Sequence, residues 1–355
     1  MTLVLSALDQ SPIREGSTGA EALRNSIDLA VHVEGLGFER YWVAEHHGTP
    51  MLACAAPEIL IAEIAAATER IRVGSGGVML PHYSPLKVAE QFSMLAGLHP
   101  ARIDLGVGRA PGTDSPTAYA LQRDRRLGAP DDFPEQLAEL LAYLVDDFPG
   151  GHMFARLAAL PGGPERPEVW LLGSSPQSAI WAAELGLPYA FADFINPAGA
   201  ELAQLYRDRF QPSHRRAEPY VAVAASVICG ETDAEAERIS SSARMAFSLL
   251  RRGQLIPVPP VEKALRHLAG QEPAAGRRWL VGSADSVRAG VEELVEEYRA
   301  DELMAVTITY DHAARKRSYQ LLGEGLADAR SSSSLAGSPR AVGLNTGPES
   351  WPPPR

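Results

Sequence analysis

The chain has little of several features that would assign it to a specialised class of protein. Its 355 residues include only two cysteines, Cys54 and Cys229, which lie far apart in the sequence. This excludes a disulfide framework and a cysteine-rich zinc cluster, and it is typical of a reducing compartment. No apolar run approaches the roughly 20 residues of a membrane-spanning helix, and no basic-then-apolar leader opens the sequence. From these absences we predict a soluble, cytoplasmic protein.

Positive charge is also scarce. Lys and Arg number 33 against 44 Asp and Glu, which gives a formal net charge of -11 at pH 7. Nucleic acids and anionic membranes attract basic surfaces, so neither is expected as a partner.

What the sequence does contain is a regular alternation of short apolar runs and longer amphipathic segments. Several runs are apolar throughout, as expected for parallel strands that are buried on both faces. Eight strands are predicted, at 3–8, 40–44, 71–74, 103–107, 168–172, 189–192, 220–229 and 302–309. A helical segment follows each of them. Eight such pairs predict an α/β fold, a (β/α)8 TIM barrel, and the alternative is an open doubly wound sheet.

Some regions depart from this alternation. The connections 108–131 and 146–167, around the fourth strand and the fifth, are long, and so is the region after strand seven. Insertions after strands 4 and 7 of a barrel commonly shape a substrate pocket or a lid. From residue 331 to residue 355 the composition shifts to Ser, Pro and Gly without periodicity. We therefore predict one barrel domain over residues 1–330 and a disordered tail over 331–355.

Candidate catalytic residues follow from the rule that barrel enzymes build their active sites at the carboxyl ends of the strands. Glu45, His46 and His47 close the second strand. An imidazole with a pKa near ~6.5 can donate or accept a proton at neutral pH, and a neighbouring carboxylate can fix its tautomer. The alternative is a histidine that hydrogen-bonds a loop carbonyl, but a His pair at a strand end favours catalysis. No third His or Cys stands nearby at ligand spacing, so no metal site is predicted. Asp9 and Asp193 are interpreted as structural.

A glycine-rich segment ends the third strand. Ser75, Gly76 and Gly77 permit a strained peptide and let a flat ring approach the backbone, although a flexible turn has the same composition. The glycines from 106 to 112, after the fourth strand, miss the G-x-G-x-x-G spacing by one residue. No acidic residue follows at the expected distance, so a nicotinamide-dinucleotide fingerprint is rejected.

Two further segments are candidates for binding a phosphate. Arg109 ends the fourth strand and offers a planar, permanently charged fork, or else a surface ion pair. Ser174, Ser175 and Ser178 open the helix after the fifth strand. The free N–H groups of a helix start, together with hydroxyls, bind phosphate well, and simple capping of the helix is the alternative. An arginine and a helix start on neighbouring strand ends would converge on one anion.

Four segments in this order and spacing resemble the bacterial-luciferase-like flavin-dependent monooxygenases. They are Tyr41-Trp42-Val43-Ala44-Glu45-His46-His47, then Gly77-Val78-Met79-Leu80-Pro81 leading into residues 85–98, then 106–109, and then 174–187. The resemblance extends from about residue 3 to residue 326.

The resemblance implies a barrel that binds FMN at its carboxyl-terminal mouth. Arg109 and the hydroxyls of Ser174, Ser175 and Ser178 would hold the flavin phosphate. A non-prolyl cis peptide would lie under the ring, within residues 75–77. His46 stands at the position of the family's acid/base residue.

The implied activity is oxygenation of a small organic substrate by reduced FMN and O2, through a flavin C4a-peroxide. Similarity to a subgroup with relatives in aromatic polyketide tailoring points to secondary metabolism. A separate flavin reductase and a homodimer are expected. Gly108 replaces a reactive cysteine of the luciferases, so light emission is not implied. The alternatives are an F420-dependent hydride-transfer enzyme and a non-catalytic flavin-binding protein.

Overall fold

Within the part of the chain that the structure describes, nine parallel strands form one sheet. The computed structural model describes residues 3–110, 113–121, 131–148, 150–157, 160–271 and 277–336. The strands are β1 (Val4–Asp9), β2 (Arg40–Val43), β3 (Arg72–Met79), β4 (Ile103–Gly108), β5 (Glu168–Gly173), β6 (Tyr189–Ala192), β7 (Val221–Cys229), β8 (Trp279–Gly282) and β9 (Glu302–Val306).

Eight of these strands close into a barrel. Neighbours pair in the order β1-β2-β3-β4-β5-β6-β7-β9, and β9 pairs with β1. These eight are the predicted strands, so the (β/α)8 TIM barrel is confirmed and the open sheet is excluded. β8 was not predicted; it lies outside the ring and pairs with the last four residues of β7.

Helices cover the outside of the barrel. They are α1 (Gly19–Gly35), α2 (Pro57–Ala67), α3 (Pro85–Leu98), α4 (Ser115–Leu121), α5 (Phe133–Val145), α6 (Pro176–Glu184), α7 (Ala200–Arg209), α8 (Asp233–Leu250), α9 (Val261–Leu268), α10 (Ala284–Tyr298) and α11 (His312–Ala336). Local signals set their starts: Thr18 caps α1 by accepting from the Glu21 backbone N–H at 3.2 Å. None of the described helices is long and apolar enough to cross a membrane.

The predicted insertions carry structure of their own. The chain between β4 and β5 contains α4 and α5, and the chain between β7 and β9 contains α8, α9, β8 and α10. The last helix, α11, continues to Ala336, six residues past the predicted end of the barrel domain at residue 330. The remainder of the predicted tail, 337–355, lies outside the described residues.

The interior of the barrel is filled by large side chains packed against small ones. The rings of Trp42 and Trp170 meet edge to face at 5.0 Å between centroids. Ala190, Ala222 and Ala224 belong to the same buried cluster and leave room for the two indoles. This filling makes the barrel a packed core rather than a channel.

The amino-terminal end of the barrel is closed by charged groups. Arg40, the first residue of β2, lies 2.9 Å from Asp104, 3.1 Å from Glu168 and 3.2 Å from Glu302. Arg72, the first residue of β3, also pairs with Asp104. Because these residues stand at or next to the first positions of their strands, the ion pairs occupy one end of the barrel and leave the other end for a site.

Candidate active site

A cavity of about 1440 Å³ opens at the carboxyl ends of the strands. Gln10, His46 and Phe194, which follow β1, β2 and β6, contribute to its wall. Thr113, from the insertion after β4, lines it as well, together with residues of α8 and α9 from the insertion after β7. Both long insertions therefore shape the cavity, as predicted.

His46 faces this cavity from the loop after β2. Its backbone N–H donates to the Cys54 carbonyl at 2.9 Å, which fixes the loop. Burial, and to a smaller extent the neighbouring His47, lower the pKa of His46 to about 4. The Ala44 carbonyl offsets part of this shift, but it is not in hydrogen-bond geometry with the ring Nδ1, which is buried and unpartnered within the described chain. The ring is neutral at pH 7 and is free to accept a proton or a hydrogen bond.

Glu45 is fully buried behind the wall and does not orient His46. Its Oε1 lies 2.6 Å from His47 Nε2 and accepts from the Tyr83 hydroxyl at 2.8 Å, while its Oε2 accepts from the Met79 N–H at 2.9 Å. Of the two groups expected to orient His46, Glu45 or a backbone carbonyl, Glu45 bonds the side chain of His47 instead, and the Ala44 carbonyl is the backbone group that acts on the ring. Glu45 and His47 tie the end of β2 to the end of β3.

The glycine segment adopts the predicted backbone. The peptide between Gly76 and Gly77 is cis, which confirms the cis bond expected within residues 75–77. Ser75 is fully buried and donates to the Gly106 carbonyl at 2.8 Å. A Cβ at Gly76 would lie 2.5 Å from Leu8, and one at Gly77 would lie 2.7 Å from the Gly106 carbonyl. The backbone of the neighbouring strand β4 thus requires glycine at position 77, whereas a side chain at position 76 would have to displace the side chain of Leu8.

Arg109 projects from the end of β4 and is half-exposed. Its guanidinium pairs with Asp131 at 3.1 Å and lies 5.7 Å from the ring centroid of Trp181 on α6. The ion pair that was the alternative interpretation is therefore present. Because Trp181 is one turn along α6 from Ser178, the side chain also reaches the flank of the predicted serine cluster.

The serines at the start of α6 form a capping box. Ser175 Oγ accepts from the Ser178 N–H at 3.4 Å, and Ser178 Oγ interacts with the Ser175 N–H at the same distance. Ser178 also donates to the Ser175 carbonyl at 2.8 Å and contacts the Tyr189 hydroxyl at 3.0 Å. Ser174 differs, because its hydroxyl has no partner within the described chain. Helix capping thus accounts for Ser175 and Ser178, and leaves Ser174 available.

The two carboxylates interpreted as structural are buried in bonded networks. Asp9 accepts from Arg315 of α11 at 2.6 Å and from Tyr41 at 2.5 Å. Asp193 accepts from Tyr298 at 2.9 Å and lies 3.5 Å from Arg278. Both therefore hold helices against the barrel.

Three cavity residues were missed by the sequence analysis. Gln10 Oε1, Arg244 Nε and Arg277 Nη2 are buried without a hydrogen-bond partner among the described residues, as is His46 Nδ1. Buried polar atoms are normally bonded, so four unsatisfied atoms around one cavity indicate a place for a polar ligand. Only Gln10, at a strand end, could have been nominated from sequence; the arginines lie within an insertion.

Comparison with known proteins identifies the family. A family model described as luciferase-like monooxygenase matches residues 1–302. A luciferase-like monooxygenase of Escherichia coli (strain K12) is 42% identical over 326 residues, covering 90% of this chain and 96% of the relative. The N-acetyl-S-alkylcysteine monooxygenase of Bacillus subtilis (strain 168) is 38% identical over 333 residues, covering 92% and 99%.

Solved structures share the barrel. Apo-MsnO8 superposes with a TM-score of 0.84 at 42% identity, covering 92% of this chain and 98% of that one. At low identity, and so for the fold alone, two others are similar. The oxygenating constituent of 3,6-diketocamphane monooxygenase of Pseudomonas putida, in complex with FMN, has a TM-score of 0.70, 21% identity and coverages of 92% and 99%. An F420-dependent secondary alcohol dehydrogenase has a TM-score of 0.65, 15% identity and coverages of 91% and 98%. By its family model and these identities, the chain belongs to the luciferase-like monooxygenase family.

Proposed function

We propose that the protein is a flavin-dependent monooxygenase that uses reduced FMN and O2 to oxygenate a small organic substrate. The observation that carries the proposal is the neutral imidazole of His46, which faces a large cavity at the carboxyl end of the barrel beside other unsatisfied polar atoms. Membership of a monooxygenase family supports the reaction class.

The residues around the mouth fit a flavin phosphate. Arg109 is half-exposed, and its pairing with Asp131 is of the surface kind that an incoming dianion can displace. The hydroxyl of Ser174 is unpartnered in the described chain, and the start of α6 adds its helix dipole. Ser175 and Ser178 would hold this helix start in place, and residues 75–77 would lie beneath the ring.

When bound, reduced FMN supplies the two electrons that leave one atom of O2 in the substrate and the other in water. The protein contributes position, a proton route and exclusion of water. His46 Nδ1 and Nε2 are the atoms that would accept or return a proton at the cavity wall. Because its pKa is about 4, the ring is almost never protonated at pH 7, and it would meet a reacting group as a neutral hydrogen-bond partner and a weak base.

The substrate and partners belong to the same proposal. The Bacillus relative is named for N-acetyl-S-alkylcysteines. The sequence resemblance to a subgroup with relatives in aromatic polyketide tailoring makes a secondary metabolite the other candidate class. We propose that a separate flavin reductase delivers the reduced cofactor, since the sequence has no dinucleotide fingerprint. We also propose that the protein forms a homodimer.

The proposed function is tested by binding and by isotope labelling. Titration with FMN and with F420 should show tighter binding of FMN, and tighter binding of F420 would replace the proposal with hydride transfer. With a flavin reductase, NADPH and N-acetyl-S-ethylcysteine under labelled dioxygen, mass spectrometry should find one labelled atom in the product. The variant His46→Ala should bind FMN but lose this product. Oxygen uptake that yields only free hydrogen peroxide, across substrates of both classes, would favour the non-catalytic alternative.

A further inference from the structure

An arginine surrounded by aromatic rings lies in the cavity wall. The guanidinium carbon of Arg277 is 3.7 Å from the ring centroid of Phe247, 5.1 Å from that of Trp279 and 5.4 Å from that of Phe194. All four residues line the cavity. Contacts with aromatic faces stabilise a cation and hold its plane in one orientation.

Among the described residues, no carboxylate is in contact with the guanidinium of Arg277. Across the described ranges, no Asp or Glu oxygen lies within 4 Å of its guanidinium; its one hydrogen bond, from Nε to Ser226 Oγ, is 3.4 Å long. Asp193 is close enough to act through space, but its bonds go to Tyr298 and Arg278. Burial lowers the pKa of Arg277 to about 10, so the side chain remains cationic at neutral pH.

Two other arginines of the cavity wall are paired with carboxylates. Arg244 pairs with Glu237 at 2.7 Å, and Arg238 lies 3.9 Å from Glu262. A buried guanidinium whose Nη2 has no acceptor is costly to keep in a folded protein unless something binds it. Arg277 therefore stands out as a preformed place for an anionic oxygen.

We propose that Arg277 binds a carboxylate, or an equivalent anionic oxygen, of the organic substrate. This deepens the proposed function, on which it rests. His46 and Arg277 line one cavity, so an acid held by the guanidinium would place its remaining atoms between the aromatic rings and the imidazole. Arg109, Ser174, Ser175 and Ser178 are not among the described lining residues, which separates this anion from the flavin phosphate. The substrate class is thus a small organic acid.

Binding measurements on the full-length protein test the inference without turnover. Isothermal calorimetry compares N-acetyl-S-ethylcysteine and benzoate, each against its neutral methyl ester, with wild type, Arg277→Met and Arg277→Lys. Wild type should bind at least one acid about tenfold more tightly than its ester. Arg277→Met should lose this preference, and Arg277→Lys should keep part of it. The control Arg252→Met, at an exposed position outside the cavity wall, should behave as wild type.

Further measurements distinguish substrate binding by Arg277 from a structural role and from binding of the flavin phosphate. If Arg277 has only a structural role, Arg277→Met should lower the melting temperature; removal of an uncompensated charge should leave it unchanged or raise it. If the anion is the flavin phosphate, Arg277→Met should weaken binding of FMN but not of riboflavin, and the inference would be overturned. Equal affinity of wild type for acids and esters, or no saturable binding of either acid up to 20 mM, would overturn it too. FMN affinity, measured on the same samples, distinguishes failure of the proposed function from failure of the carboxylate preference.

Discussion

The imidazole of His46, the proposed acid/base group, lies in a setting that opposes its protonation. Its folded-state pKa of about 4 lies below the unfolded value of 6.5. As the pH falls from 6.5 towards 4, the unfolded chain takes up a proton that the folded protein does not, so the folded state loses stability by up to about 3 kcal/mol.

We therefore expect the ring of His46 to titrate well below 6.5, and the acidic limb of the activity profile to follow the same low pKa. NMR titration of the histidine rings checks this, with His46→Gln identifying the resonance. The same variant should show less loss of stability between pH 7 and pH 4 in urea unfolding. A ring pKa at or above 6.5 would contradict the assignment.

The buried pair of Asp9 and Arg315 is expected to act on stability alone. Burial would raise the pKa of Asp9, but Arg315 and the Tyr41 hydroxyl bonded to it lower the pKa below its usual value. The stability from this carboxylate is thus present above pH 3.8 and is lost as the pH falls through the lower folded-state pKa.

Asp9→Asn should cost about 3–5 kcal/mol, because it leaves a fully buried guanidinium without its counter-charge. Urea unfolding at pH 7 measures this. The matched control is Asp28→Asn, which also removes a link to α11, since Asp28 bonds Lys316 at 2.9 Å, but at an exposed site. It should cost at most about 1 kcal/mol. Equal effects of the two substitutions would contradict the role of burial.

Among the secondary-structure elements, β3 and β4 approach unusually closely. A Cβ at Gly106 would meet the Ser75 carbonyl oxygen at a distance that real Cβ atoms do not show, and it would also press on Leu172. A Cβ at Gly108, two residues along the same strand, would find only Met79 Sδ, at 4.0 Å.

Gly106→Ala should therefore destabilise the protein by about 1–3 kcal/mol or prevent folding, because backbone atoms cannot move aside as a flexible side chain can. Gly108→Ala should change the unfolding free energy by less than about 0.5 kcal/mol. Thermal unfolding of the two variants compares them directly. Similar melting temperatures would show that the strands can separate at no cost.

Sequence periodicity predicted the elements whose pattern is long enough to read. All eight barrel strands were predicted, with helical segments after them, because each has a buried run or a recurring apolar face. Strand β8 has four residues, too few to show a period. It pairs with β7 outside the barrel. Helix α9 follows the proline-rich segment 257–260, and α4 lies in a long connection whose pattern is weak. Neither was predicted.

The candidate site likewise contains features that the sequence predicts and features that it does not. His46 and the cis peptide at residues 76–77 follow from the strand-end rule and the family resemblance. The pairing of Glu45 with His47 depends on side-chain directions within a loop, and spacing does not specify these. Arg277 lines the cavity because β8, which follows it closely, pairs with β7. This placement depends on tertiary structure. Nothing local to residues 277–279 distinguishes a cavity arginine from a surface one.

On the scale of the whole molecule, exposed apolar side chains on α2 and α3 bear on the proposed homodimer. Ile59 is 67% exposed and Leu98 is 69% exposed. Gln91 of α3 donates to Glu58 of α2 at 3.1 Å, so the two helices lie side by side, and Met94 of α3 is half-exposed. A neighbouring copy that covers this face would remove apolar surface from water.

We expect light scattering to report twice the chain mass of 38.1 kDa for the wild type and one chain mass for Ile59→Asp. Met153→Asp, at a residue that is as exposed but lies elsewhere, should remain dimeric. A monomeric wild type at micromolar concentration, or dissociation by both substitutions alike, would contradict an interface at this face.

The ring of ion pairs around Arg40 closes one end of the barrel, so the interior is accessible from the opposite end alone. Reactants and products must then enter and leave at the same end. The loops and insertions at the carboxyl ends of the strands therefore control the order of binding and release. These loops can change in evolution to accept new substrates while the ion-paired end continues to stabilise the fold. Substrate specificity and thermal stability should accordingly vary independently among homologous chains.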